Sequence, residues 1–461
     1  MSSKDLKWAM FIVTAIGNFI AVLDSTSVNL ALYPMSVDLG VPISQIQWVM
    51  VAYMLVLTVF LPFFGKLGDI FPKNKLYATG FAIFALGAFL NTTANNFCLL
   101  IIYRCIEALG ASIMLSNAQA IIASIFKNER RGKALGLNGG IIAIGGMSGP
   151  ALGGILIHFL GWHAIFYPCI PIALAGIYYA YKILPHSTNI DRKNFKFDYK
   201  GFIYFSVSLF ALLLAISQGH TWGWGSLKII TLGVITLIFG ALFYIRDNNI
   251  NYPLINFSLF KIKAFTFGNL AVMISYMVML SNTVLLPFFL QDILKYSPMK
   301  AGLLILPYSI ILTFVAPISG RLSGKYGSRI LTICGPIVYC IALLLYTLYD
   351  KDVAIWQLII ASAIMGIGNG LFQSPSNNAI MTSVKKDELG IASGILALSR
   401  NLGHVLGISV AITLFDTFRN IFLTSNSYDI AFLNAYRTTM SFGVALGITC
   451  LIFAYIAYKD A

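Results

Sequence analysis

Apolar runs long enough to cross a membrane recur along almost the whole chain. At about 1.5 Å of rise per residue, roughly 20 apolar residues span the hydrocarbon core of a bilayer as a helix. The sequence predicts fourteen spans, at about residues 8–33, 44–65, 74–94, 97–122, 134–158, 163–183, 199–218, 227–246, 264–290, 299–319, 328–349, 354–382, 390–416 and 436–458. The polar stretches between them are too short to fold as a separate catalytic domain.

The charge distribution agrees with a membrane protein. Charged residues make up only 10% of the chain and hydrophobic residues 58%, whereas soluble domains carry about 25% charged residues. The net charge of +14 comes from Lys and Arg concentrated on the side of the predicted spans that holds both termini. Because positive charge marks the cytoplasmic face, we predict both termini to be cytoplasmic. The basic balance then reflects topology and anionic membrane lipids, not a nucleic-acid partner.

Two sequence echoes indicate an internal repeat. The glycine-rich and basic run at 65–75 is repeated at 320–329, and the run at 129–136 is repeated at 388–394. Both echoes are separated by nearly the same distance along the chain, so the first six and last six spans look like copies of one unit. We predict a six-helix bundle at 1–185, a linker with two inserted helices at 186–250, and a second six-helix bundle at 251–461. Paired halves of this kind are a transporter architecture with substrate near the membrane midplane.

An acid lies inside the first predicted span. Asp24 is followed by Ser25, Thr26 and Asn29, and a carboxylate at that depth costs about 2.5–3.5 kcal/mol on insertion scales. Asp24 therefore has a partner, faces a water-filled cavity, or carries protons. The simplest alternative is a polar pair that only holds two helices together.

The fourth predicted span carries Arg104 and Glu107, which share a helix face because they are three residues apart. They form either a private pair that neutralises both charges, or a site in which Glu107 and Asp24 exchange protons beside Arg104. Desolvation favours the neutral form of a buried acid and a neighbouring arginine favours the charged form. That competition makes proton exchange sensitive to the surroundings.

Two further sets of residues are candidates for conformational change and for substrate contact. Glycines surround a proline on the fifth span, which predicts a bendable, closely packed helix. The candidate gate and conformational residues are Gly65, Asp69, Lys73, Gly145, Gly149, Pro150, Gly153 and Gly154. The candidate substrate-cavity residues are Asn29, Tyr53, Asn282, Gln373, Asn378, Arg400 and His404. Hydrogen bonding between helices is the alternative use of these polar side chains.

These motifs resemble the major facilitator superfamily, in its fourteen-helix drug/proton antiporter branch. The runs at 65–75, 104–111 and 145–154 resemble the family signatures of helices 2–3, 4 and 5. The runs at 23–34 and 218–225 resemble the first-helix motif of this branch and the turn between its inserted helices. Two positions depart from the pattern: Glu107 stands where Gln is more frequent, and Phe71-Pro72-Lys73 replaces a Gly-Arg pair.

The resemblance implies an all-α membrane transporter and not an enzyme. It implies export of small amphipathic, often cationic drugs from a bacterial cell by alternating access, driven by protons and without a cofactor. From the residues themselves, we predict that Asp24, Glu107 and Arg104 couple the protons and that Asp69 closes the inner gate. The alternatives are an exporter of an endogenous lipid, fatty acid or metabolite, a proton-dependent uptake carrier, and a membrane sensor or intramembrane enzyme. No paired Ser/His, zinc-ligand or phosphate-loop spacing supports enzyme chemistry.

Overall fold

The computed structural model describes residues 3–126, 129–185, 198–250, 255, 257–385 and 389–459. Fourteen long helices are found in this part of the chain, as the sequence predicts. They are α1 Ser3–Asp38, α2 Trp48–Ile70, α3 Lys73–Asn91, α4 Phe97–Ile125, α5 Glu129–Leu160, α6 Cys169–Ile183, α7 Tyr199–Trp222, α8 Leu227–Asn248, α9 Lys263–Phe288, α10 Pro298–Tyr326, α11 Arg329–Thr347, α12 Ile355–Thr382, α13 Leu389–Leu423 and α14 Tyr428–Tyr458. The all-α fold class is thereby confirmed.

Length and hydropathy agree with membrane crossing for nearly every one of these helices. Thirteen segments within the described residues are long and apolar enough to span a bilayer. The remaining helix, α3, has 19 residues but begins with Lys73, Asn74 and Lys75 and ends at Asn91, which lowers its mean hydropathy. The chain is therefore a multi-pass helical membrane protein. The side of the membrane on which its termini lie stays a prediction.

Local sequence signals place several helix ends. The side chain of Asn96 accepts a hydrogen bond from the Leu99 backbone N–H at 2.9 Å and caps α4. Ser297 caps α10 in the same way, and Pro298 occupies the first helical position, where its missing N–H costs nothing. Gly327 ends α10 with a φ of +86°, a conformation that a residue without a Cβ adopts readily.

The described residues divide into two compact units, Met1–Tyr199 and Lys200–Ala461. In the first unit α1 packs against α5, α2 against α4, and α3 against both α4 and α6. In the second unit α9 packs against α13, α10 against α12, and α11 against both α12 and α14. The two six-helix sets therefore have the same internal packing order, in agreement with the sequence echoes.

One polar contact is repeated in both units. In the first, Asp38 at the end of α1 accepts a 2.8 Å hydrogen bond from the indole N–H of Trp162, just before α6. In the second, Asp292 in the π-helical turn after α9 accepts a 2.6 Å hydrogen bond from the hydroxyl of Tyr428, the first residue of α14. Each contact joins the end of the first helix of a six-helix set to the start of its sixth helix or to the turn just before it.

The two inserted helices, α7 and α8, contact each other. The hydroxyl of Ser208 donates to the Thr236 carbonyl oxygen at 2.9 Å, and the rings of Tyr204 and Phe239 are 6.0 Å apart. Residues 186–197 of the predicted linker lie outside the described residues. The predicted three-part division at 185 and 250 therefore stays a prediction.

Candidate functional site

A buried cluster of charged side chains joins α1 and α4 inside the first unit. The guanidinium Nη1 of Arg104 donates to Asp24 Oδ2 at 2.7 Å and to Glu107 Oε2 at 2.6 Å. The side chains of Arg104, Asp24 and Glu107 are 1%, 0% and 0% exposed. The three residues that the sequence singles out as the proton-coupling set therefore meet at one place.

Aromatic rings enclose the arginine. The Arg104 guanidinium carbon lies 4.2 Å from the centre of the Tyr53 ring and 5.8 Å from the centre of the Phe166 ring. Its Nε is 3.4 Å from the Val49 carbonyl oxygen on α2. Cation–π contacts strengthen when the cation is desolvated. Arg104 is thus held by α1, α2, the turn before α6, and its own helix.

The charges of the cluster do not balance when both acids are ionised. One guanidinium then faces two carboxylates, and one proton on either acid makes the cluster neutral. Asp24 Oδ1 and Glu107 Oε1 are buried and have no hydrogen-bond partner in the described part of the protein. An uncompensated charge in such surroundings is costly. Each of these oxygens can accept a proton. The alternative of a private Arg104–Glu107 pair is incomplete, because Asp24 shares the same guanidinium nitrogen.

Helices α3 and α4 are in direct backbone contact beside the cluster. A Cβ at Gly87 would lie 2.5 Å from both Cα and N of Glu107, and a Cβ at Gly110 would lie 2.3 Å from the backbone N of Phe84. Only glycine permits this approach, which is typical of membrane helix interfaces. The spacing of α3 and α4 at Glu107 therefore has little freedom.

The glycine face of α5 packs on α1 at the level of Asp24. A Cβ at Gly149 would lie 1.9 Å from Thr26 Oγ1, and a Cβ at Gly145 would lie 2.9 Å from the Phe19 carbonyl oxygen. The hydroxyl of Ser27 donates to the Gly149 carbonyl oxygen at 3.2 Å. Gly153, Gly154 and Pro150 are buried on the same helix, which continues through the proline to Leu160. The predicted conformational helix thus contacts the helix that carries Asp24.

The predicted inner gate lies at the junction of α2 and α3. Gly65 is half-buried in α2, and Lys73 begins α3. A Cβ at the neighbouring Gly68 would clash with the amide of Asn117 on α4, so α2 and α4 also approach closely here. The side chain of Asp69 lies outside the described residues, and its gating role stays a prediction.

The predicted substrate-cavity residues are divided between the two units. Asn29 and Tyr53 belong to the first, and both are buried, with Tyr53 covering Arg104. The second unit holds Asn282, Gln373, Asn378, Arg400 and His404. Asn282 is buried, Asn378 is exposed, and the imidazole of His404 lies 4.8 Å from the ring of Tyr276 with both nitrogens buried. A substrate-binding role for this set stays a prediction.

Two members of the cluster are missed by the sequence analysis. Asn91, the last residue of α3, is fully buried and donates from Nδ2 to Glu107 Oε2 at 2.7 Å. It lies near the end of the predicted span 74–94, and nothing in the pattern tells which asparagine of the run 91–96 points inward. Phe166 lies in a 3₁₀ turn, and only the three-dimensional packing brings it to Arg104. In the structure, Asn91 is recognised as a member of the cluster because its amide is buried at the end of a helix.

The comparisons with known proteins agree with a transporter. The family model of the Major Facilitator Superfamily matches residues 14–408 and 268–460. This chain belongs to that superfamily. It is similar to the riboflavin transporter RibZ of Clostridioides difficile, with 35% identity over 449 residues that cover 97% of this chain and 96% of the relative.

Multidrug transporters are also among its relatives. The multidrug transporter protein MdtP of Bacillus subtilis is 31% identical over 398 residues, which cover 86% of this chain and 73% of the relative. The multidrug resistance protein Stp of Mycobacterium tuberculosis is 27% identical over 400 residues, covering 87% of this chain and 74% of the relative. These bacterial relatives support a transporter of small molecules.

Proposed function

We propose that this protein is a proton-coupled antiporter of the bacterial cell membrane that exports amphipathic, often cationic drugs and dyes by alternating access. The observation that carries the proposal is the sealed cluster of Asp24, Arg104 and Glu107. Two acids share one guanidinium nitrogen, and each acid keeps a buried oxygen without a partner. The multidrug relatives support the choice of cargo.

The proposed mechanism uses the charge imbalance of the cluster. With one proton bound, the cluster is neutral and the buried state is favoured. Loss of that proton leaves a net negative charge inside the membrane, which favours rehydration of the site and approach of a cationic compound. Each proton that moves inward down about 100 mV supplies about 2.3 kcal/mol, and one pH unit adds about 1.4 kcal/mol.

The contact between α5 and α1 supports a route from the proton to helix movement. Gly149 leaves no space between α5 and the segment of α1 that follows Asp24. A change in the position of Asp24 is therefore transmitted directly to α5. We propose that Asp69 and Lys73 close the cytoplasmic ends of the helices in the outward-open state.

Transport of a flavin is the second candidate function. The RibZ match covers both chains almost completely, whereas the multidrug relatives are covered over about three quarters of their length. A planar, amphipathic flavin also belongs to the size class of drug-like cargo. An endogenous lipid, fatty acid or other metabolite is the remaining alternative.

Inverted membrane vesicles test these proposals. With the vesicle lumen acidified, we expect the wild-type protein to concentrate ethidium inside, and a protonophore to abolish the uptake. Asp24→Asn and Glu107→Gln should each slow proton-driven uptake at least tenfold. The coupling role of the cluster fails if both variants keep pH-driven export. Movement of labelled riboflavin without movement of ethidium would favour the flavin transporter, and movement of neither would favour another metabolite.

A further inference from the structure

Asn91 distinguishes the two acids of the cluster. Glu107 Oε2 accepts two hydrogen bonds, from Arg104 Nη1 at 2.6 Å and from Asn91 Nδ2 at 2.7 Å. Asp24 Oδ2 accepts its 2.7 Å bond from the same Nη1. An amide N–H can only donate. A proton on Glu107 therefore removes the charge assistance from two hydrogen bonds, whereas a proton on Asp24 removes it from one.

We propose that Asn91 is a positioning residue that keeps Glu107 as the permanent counter-ion of Arg104, so that Asp24 alone carries the exchanged proton. The inference rests on the proton coupling proposed above and makes it more specific. Arg104 and Glu107 then cancel each other in every state. One proton is exchanged per transport cycle, not the two that two equivalent acids would allow.

The backbone geometry keeps Asn91 and Glu107 together. Gly87, one helical turn before Asn91, would place a Cβ only 2.5 Å from the Glu107 backbone. Glu107 cannot move away from Asn91 unless α3 and α4 separate. Asp24 lies on a different helix, α1, and it is joined to Arg104 through side chains only. The structure thus holds Glu107 beside Asn91 through the backbones of α3 and α4, whereas Asp24 is held to Arg104 by side chains alone.

Infrared titration of the purified protein tests the assignment independently of transport. The carboxylic C=O stretching band of the buried protonated acid should shift when the aspartate side-chain carboxyls are labelled with ¹³C. It should stay in place when the glutamates are labelled, because labelling leaves the charges of the cluster unchanged. Asn91→Leu removes the donor at similar volume, so Glu107 should share the proton and a second band that shifts with glutamate labelling should appear. This second band should be absent from the double variant Asn91→Leu, Glu107→Gln.

Control variants separate positioning from a structural role. Asn95→Leu changes an exposed asparagine in the loop that follows Asn91 and should leave the titration unchanged. Asn91→Ser keeps a donor in a smaller side chain and should retain a single band even if Asn91→Leu folds poorly. A wild-type band that shifts with glutamate labelling and not with aspartate labelling would overturn the proposal. So would a single aspartate band in Asn91→Leu, as in the wild type.

Failure of the proposed function has a different signature. If the vesicles show no proton-driven transport but the Asp24 band titrates as expected, antiport is refuted and the assignment of the proton stands. If transport is proton-driven but both acids contribute equal bands in the wild type, antiport stands and the role of Asn91 is refuted.

Discussion

Replacement of Gly149 by alanine should separate α1 from α5 and damage transport. The new Cβ would lie 1.9 Å from Thr26 Oγ1 and 3.0 Å from the Leu23 carbonyl oxygen. The hydroxyl of Thr26 donates to the carbonyl oxygens of Val22 and Leu23, at 2.8 and 3.2 Å. It cannot turn away without losing these bonds, so either a hydrogen bond or the helix spacing must be given up.

A matched control on the same helix lets the magnitude be worked out. Gly140 also lies in α5, and a Cβ there would meet no heavy atom of the described residues within 4 Å. Both changes gain the same helix propensity, about 1 kcal/mol. Gly149→Ala additionally incurs about 1–3 kcal/mol of overpacking and about 1 kcal/mol for a lost hydrogen bond. We expect it to be less stable than Gly140→Ala by about 2–4 kcal/mol.

The comparison requires two measurements on each variant. Denaturant titration of the purified protein in detergent gives the stability difference, and ethidium uptake in inverted vesicles gives the transport rate. We expect Gly140→Ala to transport like the wild type and Gly149→Ala to be at least tenfold slower. Adding Thr26→Ala removes the closest clash and should restore part of both losses. Equal stability and equal transport in the two alanine variants would refute the packing argument.

Two further predictions concern polar contacts between helices. Arg104→Met leaves Asp24 and Glu107 without a counter-ion and should destabilise the protein by about 3–5 kcal/mol in denaturant titration. Adding Asp24→Asn and Glu107→Gln should restore stability but not proton-driven transport. A triple variant as unstable as the single variant would contradict this reasoning. Tyr428→Phe removes the donor to Asp292 and should lower the free energy of unfolding by about 1 kcal/mol. The effect should vanish in an Asp292→Leu background, which has no acceptor, if it acts through this bond.

The fold was largely predictable because nearly all of the membrane spans can be recognised in the sequence by their length and hydropathy. The glycine echoes at 65–75 and 320–329 also predicted the duplication, since both mark the same turn in each copy. Helix ends were less predictable: α1 and α5 run several residues beyond their predicted spans because polar residues at the ends continue the helix. Hydropathy locates the end of an apolar run, which is not always the end of the helix.

The site was predictable in its members but not in its connections. Arg104 and Glu107 are one helical turn apart, so their proximity follows from the sequence. That Asp24 shares the same guanidinium nitrogen depends on how α1 packs on α4, which no local pattern encodes. Asn91 was missed for the same reason, because its partner Glu107 lies on another helix. The roles assigned to the cavity residues, such as His404, stay predictions.

The duplicated architecture contains the charged cluster in only one copy. Tyr53 and Tyr308 each precede the glycine of their matching turn by twelve residues. Arg104 lies seven residues after the start of α4, and at the same place in α12 stands Ser362, whose hydroxyl lies 3.4 Å from that of Tyr346. At these matching positions the transmembrane electric field has a charge to act on in the first unit and none in the second. Substitution of Tyr308 or Ser362 by another uncharged residue removes no charge from the membrane interior, so we expect the response of transport to voltage to stay the same.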